Sequence, residues 1–178
     1  MSSLIPIYSL GHSDYRSDTF MDLLIKKEIE VLIDIRRYPN SDIYTYFSKD
    51  DLKNDLKLAD IKYVWKGEEL GGYREEMMEE DPLNDAWDYS GYRAYAGHAF
   101  STEFQDSLET LLDLSDKKQI AIMCAETNYK KCYRRILCDW LLAKEKKVIH
   151  IMENKEIEHE FTDFAIIHDD KVVYPKKF

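Results

Sequence analysis

The stretch QIAIMCAETNYKKCYRRILCDWLLA, residues 119 to 143, decides the fold. Its first six residues, Gln119 to Cys124, run apolar with β-branched Ile120 and Ile122, the pattern of a strand buried on both faces. The period then changes from 2 to 3.6. Tyr133, Ile136, Leu137, Trp140 and Leu141 recur at i, i+3, i+4, i+7 and i+8, the stripe of a helix that packs back onto a sheet. Cys124 and Glu126 therefore fall at the carboxyl end of a strand, and Lys130, Lys131, Cys132, Arg134 and Arg135 crowd the start of the following helix. In open α/β sheets that end is where ligands bind. A thiol facing basic side chains and a helix amino terminus has the surroundings that lower a cysteine pKa from about 8.5 towards neutrality.

Working outward, Leu4 to Leu10 reads as a first strand with Gly11-His12-Ser13-Asp14 as its exit loop. Ser17 or Asp18 can cap a helix with Phe20, Leu23 and Leu24 facing inward, and Glu30 to Arg36 reads as a second strand, so the opening forms a βαβ unit with parallel strands. Pro39 ends that strand. Ser48 with Asp51 resembles a capping box for a helix carrying Leu52, Leu56 and Ala59, and Ile61 to Trp65 reads as a third strand. Composition shifts after Lys66: Glu68 to Asp88 holds nine acidic residues against one arginine, with Gly71-Gly72 and Pro82 inside it. Residues 67 to 98 read as an acidic flap over the sheet edge, helical through Tyr73 to Glu80. Thr102 with Gln105 can open a helix striped by Phe104, Leu108, Leu111 and Leu112. Val148 to Met152 reads as a fifth strand and FAIIHDDKVVY as a hairpin turning at Asp169-Asp170. The expectation is a single α/β domain over 1 to 178: a mainly parallel five-stranded sheet with helices on both faces, the flap, and a C-terminal hairpin.

A formal charge of -10 argues against broad, non-specific nucleic-acid binding, which runs on basic patches. Three cysteines form no disulfide framework and no signal peptide precedes Leu4, so the expected compartment is the reducing cytoplasm and the expected thiols are free. No apolar run approaches the roughly 18 residues of a membrane span.

Three strand ends line up: Gly11-His12-Ser13, Asp34-Ile35-Arg36 and Cys124-Ala125-Glu126. Parallel strands place their carboxyl ends on one edge, so these groups are expected to converge on one crevice. At this point YSLGHS, VLIDIRRYPNS, the LGG at Leu70 to Gly72 and MCAE followed by Cys132 and Arg134 resemble the family called domain of unknown function number 488, over roughly residues 5 to 152. The resemblance implies Gly11, His12, Ser13, Asp34, Arg36, Pro39, Ser41, Cys124, Glu126, Cys132 and Arg134 as motif positions. Family members usually read Cys-His-Arg where this chain has Cys132-Tyr133-Arg134. A looser resemblance is to rhodanese-like domains, which also end a strand in a cysteine before a helix. Their loop cradles an anion with successive backbone N–H groups, whereas AETNYKK here offers no glycine.

The chemistry suggested is an enzyme acting on a small anionic or nucleotide-like substrate. Cys124, Glu126 and His12 are its catalytic candidates, and Ser13, Asp34, Arg36, Ser41, Cys132 and Arg134 its binding candidates, with Arg36 and Arg134 holding the anion. The bland readings run beside it: Cys124 as an apolar plug, Asp34 with Arg36 as a structural pair, Glu126 as a cap. The alternative function is a non-catalytic ligand-binding or nucleic-acid-processing accessory module. No metal or cofactor is expected. Cys124, Cys132, Glu126 and His12 suit zinc by type, but Cys-x7-Cys is not a usual spacing. A nucleic-acid partner and the oligomeric state stay open.

Overall fold

The computed structural model describes residues 5–76, 80–152 and 155–176. Its main sheet has six strands in the order β3-β2-β4-β1-β5-β6, namely β1 (Ile7–Gly11), β2 (Val31–Asp34), β3 (Lys62–Trp65), β4 (Ile120–Cys124), β5 (Val148–Met152) and β6 (Lys155–Glu158). The first five are parallel, and β6 runs antiparallel to β5. That sixth strand corrects the five-stranded expectation. Its sequence KEIE is largely exposed and lies at the sheet edge, where charged residues discourage further pairing. Nothing in such a segment resembles a half-buried strand.

Alternation along the strands divides the interior in two. Leu10, Leu32, Ala121 and Met123 face α1 (Ser17–Lys26) and α2 (Lys49–Leu58), meeting Phe20, Leu24, Leu52 and Leu56. Ile7, Val31, Ile33, Ile120, Ile122 and Cys124 face α5 (Thr102–Lys117) and α6 (Arg134–Ala143), meeting Phe104, Leu108, Ile136 and Leu137. Helices thus cover both faces. Within residues 67 to 98 the helices are α3 (Gly67–Leu70) and α4 (Ser90–His98), and Leu70, Trp87, Tyr95 and Ala96 sink into the core. The helix expected over Tyr73 to Glu80 is not there at 73–76 or at 80, and 77–79 lie outside the described residues, as does Leu4 of the first strand.

The hairpin at the end forms as a separate two-stranded sheet, β7 (Ile166–His168) with β8 (Lys171–Val173). Asp169 and Asp170 take φ of 50 and 61, the doubly left-handed turn that a tight hairpin requires and that aspartate tolerates better than most residues. Capping went differently. Ser101 and not Thr102 caps α5, accepting from the Phe104 N–H at 3.1 Å. Ser48 sits at the amino end of α2, but its hydroxyl turns to the Ser41 backbone instead. Arg16 precedes α1, and the Asp18 carboxylate takes the adjacent Thr19 N–H. No helix among the described residues is long and apolar enough to cross a membrane.

Candidate functional site

The site begins at Gly11. Gly11 pairs with Cys124 in register, and the chain leaving β4 crosses so close that a Cβ there would lie 1.9 Å from the Glu126 carbonyl oxygen. Only glycine admits that crossing. Pairing continues beyond the strands: the His12 N–H donates to Cys124 O at 3.0 Å, Ser13 N–H to Ala125 O at 2.8 Å, and Ile35 N–H to Met123 O at 2.9 Å. The three strand ends are therefore tied together by backbone hydrogen bonds.

Cys124 and Cys132 are free thiols whose sulfurs stand 3.2 Å apart. Cys132 precedes α6 and is not in its first turn, following a short helical turn at Tyr129–Lys131, and its sulfur accepts the Arg134 N–H at 3.4 Å. Arg134 turns inward, fully buried. Its Nη1 reaches Cys124 Sγ at 2.7 Å and Glu126 O at 2.9 Å, and its Nη2 reaches Thr127 O at 3.2 Å. Burial pushes the Cys124 thiol up, but the hydrogen bond from Cys132 and the guanidinium of Arg134 overcome it and bring Cys124 down to about 7. Its hydrogen bond to Cys124, with burial, pushes Cys132 well up. Of the two sulfurs, Cys124 is therefore the one that ionises more readily, and Cys132 the one that keeps its proton. The loop after Cys124 offers the guanidinium carbonyls instead of N–H groups, so it is no backbone anion cradle, and the compensating charge is a side chain.

His12, Asp34 and Arg36 form a second cluster. Asp34 is fully buried and accepts Arg36 Nε at 2.9 Å, Arg36 Nη2 at 2.8 Å, the Arg36 N–H at 3.0 Å and the Tyr63 hydroxyl at 2.5 Å. Arg36 Nη1 lies 3.3 Å from His12 Nε2, and His12 Nδ1 lies 3.0 Å from Ser13 O. With Nδ1 donating to Ser13, the Nε2 lone pair faces Arg36, and the ring is neutral. Burial outweighs the Ser13 bond and, with the Arg36 charge, takes His12 down to about 4.

A cavity of about 850 Å³ opens over these groups, lined among others by His12, Arg36, Ser41, Cys124, Glu126 and Cys132. Ser13, Asp34 and Arg134 stand outside its lining. Ser13 contributes backbone from a φ of 40, Asp34 holds Arg36, and Arg134 reaches the thiol and not the cavity. Ser41 Oγ accepts the Tyr44 N–H, bracing the loop after Pro39. The exposed Glu126 carboxylate takes the Asn128 N–H at 3.0 Å on the cavity wall. Tyr133 donates to Ile35 O at 2.9 Å and lies over Gly72, whose missing side chain gives the ring room.

The sequence reading missed a buried chain behind the thiols. Ser9 Oγ meets His150 Nδ1 at 2.9 Å, His150 Nε2 meets His159 Nδ1 at 2.8 Å, and His159 Nε2 meets Asp139 Oδ1 at 2.8 Å. Thr162 and Tyr174 donate to the same carboxylate, and Tyr129 stacks on His150 at 3.6 Å. Cys138, His150 and His159 bring ligand atoms within 4.8 Å of one another, the donor types of a metal site. A metal would have to displace the bond between the two imidazoles. Burial, together with the His159 and Arg134 charges, drives His150 down to about 2.

Two histidines that stay neutral when folded make the protein acid-sensitive. Below about pH 6.5 the unfolded chain binds protons that folded His12 and His150 refuse, so stability is present above that pH and falls on acidification. The expected loss between pH 7 and pH 5 is on the order of 4 kcal/mol for the two together. Urea unfolding at the two pH values measures it, and an unchanged midpoint contradicts it.

No curated protein and no solved structure matches the chain. A family model does: the one described as Domain of unknown function DUF488 covers residues 16–141, more than half of the sequence and all of the path from α1 through Cys124 to Arg134. The chain belongs to the DUF488 family.

Proposed function

We propose that this chain is an enzyme whose nucleophile is the Cys124 thiolate and whose substrate is a small anionic or nucleotide-like molecule, in a cytoplasmic setting that keeps the thiols reduced. The observation that carries the reading is the 2.7 Å contact between Cys124 Sγ, a residue of the cavity lining, and Arg134 buried behind it. A thiolate held by a fixed charge needs no separate base to activate it. Acid and base duties then concern the leaving group. His12, neutral and oriented by Arg36, and the exposed carboxylate of Glu126 are the residues for them. Asp34 positions Arg36, and Arg134 positions the thiolate.

Charge and shape support the substrate class. Although the chain carries -10 and the cavity wall includes Glu75, Glu76 and Glu126, the wall also carries Arg37, Arg74 and Lys131. Arg37 donates to Tyr73 O and Arg74 to Gly71 O and Glu68 O, so neither guanidinium is neutralised through these bonds. Burial and the neighbouring Arg37 charge push the Arg74 guanidinium down, the condition an incoming anion relieves. Tyr38, Tyr73 and Tyr89 also line the cavity and are 64%, 77% and 63% exposed, with Tyr38 against Tyr73 and Tyr89 against Tyr92, so aromatic surface is on hand for a planar group.

Two alkylating agents of nearly one size test this. Iodoacetate is anionic and iodoacetamide neutral, so the cavity should favour iodoacetate at Cys124 by roughly tenfold relative to the same thiol in unfolded protein. Arg37→Ala with Arg74→Ala should abolish the preference. Equal relative rates would contradict the anionic substrate. No labelling by either reagent until unfolding would leave a ligand-binding module in which Cys124, only 2% exposed, is a plug.

A further inference from the structure

Resting on that reading of Cys124, we infer that Cys124 and Cys132 are a reversible dithiol–disulfide couple, and that the cavity reduces a low-molecular-weight disulfide carrying carboxylates. Both cysteines belong to the cavity lining, and their sulfurs stand 3.2 Å apart. A disulfide requires about 2.0 Å, so closure takes about 1 Å. The two positions differ in freedom. Cys124 ends a strand hydrogen-bonded on both sides, whereas Cys132 lies in the connection between a single helical turn and α6, where a shift of this size meets no sheet pairing.

The charges also divide the labour. Cys124 Sγ faces the Arg134 guanidinium at 2.7 Å, whereas Cys132 Sγ meets only the Arg134 backbone N–H at 3.4 Å, the arrangement of an attacking sulfur favoured as thiolate beside a resolving thiol. In the first step Cys124 Sγ attacks one sulfur of R–S–S–R′. The Cys124–S–S–R bond forms, the substrate S–S bond breaks, and R′–S⁻ leaves with the proton of Cys132. Arg134, no longer facing a thiolate at Cys124, then faces one at Cys132, whose sulfur already accepts the Arg134 N–H. In the second step Cys132 Sγ attacks Cys124 Sγ, the protein disulfide forms, and R–S⁻ leaves and takes a proton from water. The substrate gains two electrons and two protons: both electrons and the Cys132 proton come from the protein, and the second proton comes from water. An external dithiol reductant restores the starting state. Arg37 and Arg74 on the cavity wall supply the attraction for carboxylates.

The test uses glutathione disulfide on the reduced, folded protein, with acid quenching, intact mass and peptide mapping. The wild-type chain should lose two hydrogens and yield a peptide pair linked through Cys124 and Cys132, with two glutathione molecules released per chain. Cys132→Ser should stop at a glutathione adduct on Cys124. Stable accumulation of that adduct in the wild-type chain, with Cys132 still open to alkylation, overturns the couple while leaving Cys124 a nucleophile. No reaction of either thiol before unfolding overturns both readings. The wild-type measurement decides even if the variant does not fold.

Discussion

Replacing Asp34 with alanine is expected to lower the unfolding free energy by about 3–5 kcal/mol, the range for breaking a buried ion pair by removing one partner. Asp34 is fully buried and takes four hydrogen bonds, three from Arg36 and one from Tyr63. Alanine strands the guanidinium of Arg36, which is itself only 6% exposed, and leaves the Tyr63 hydroxyl without its acceptor. Burial opposes the Arg36 charge, and the Asp34 contacts are what hold it in place. Asp34→Ala with Arg36→Leu should recover part of the loss, because an apolar pair leaves no orphaned charge. Urea unfolding of the three proteins measures it. A single-variant loss below about 1 kcal/mol would mean that solvent from the cavity screens the pair.

Arg134→Met has the second large effect, and it appears in reactivity as well as stability. The side chain loses its contacts to Cys124 Sγ, Glu126 O and Thr127 O together. With the guanidinium gone, burial is opposed chiefly by the contact with Cys132, so the thiol rises towards or above its ordinary value. At pH 7 the thiolate fraction should fall by roughly tenfold or more. Two carbonyls without donors cost about 3 kcal/mol in addition. Arg134→Lys should restore part of the thiolate without restoring the fold, since an ammonium keeps the charge but cannot reproduce the planar fork.

The period change at Cys124 carried the fold in the sequence. Gln119 to Cys124 and the stripe from Tyr133 to Leu141 are both long and regular, and they became β4 and α6. The sixth strand was illegible because KEIE has no apolar face to bury. Cap positions slipped where a hydroxyl found a partner distant along the chain, as Ser48 did in Ser41. Convergence of His12, Arg36 and Cys124 followed from parallel strands alone, but the direction of Arg134 did not. Spacing places it beside Cys132 and cannot say that it turns back to the strand. The network from Ser9 to Asp139 is assembled from bonded pairs up to 141 positions apart, so no local pattern contains it. A trace was there in His150 within VIHIM and Asp139 within ILCDWLL, polar groups interrupting apolar runs that must find buried partners.

The central claim is that Cys124 is a thiolate held by Arg134, and the pH dependence of iodoacetamide labelling tests it most directly. Folded protein is labelled across the neutral range, and Cys124 is resolved from Cys132 and Cys138 by peptide mapping. The account predicts that labelling of Cys124 titrates near pH 7 in the wild-type chain and moves up by more than one pH unit in Arg134→Met, while Cys138, which burial pushes up to about 12, stays unlabelled in both. A wild-type profile that titrates at or above the free-cysteine value of about 8.5, or that Arg134→Met leaves unmoved, would contradict it.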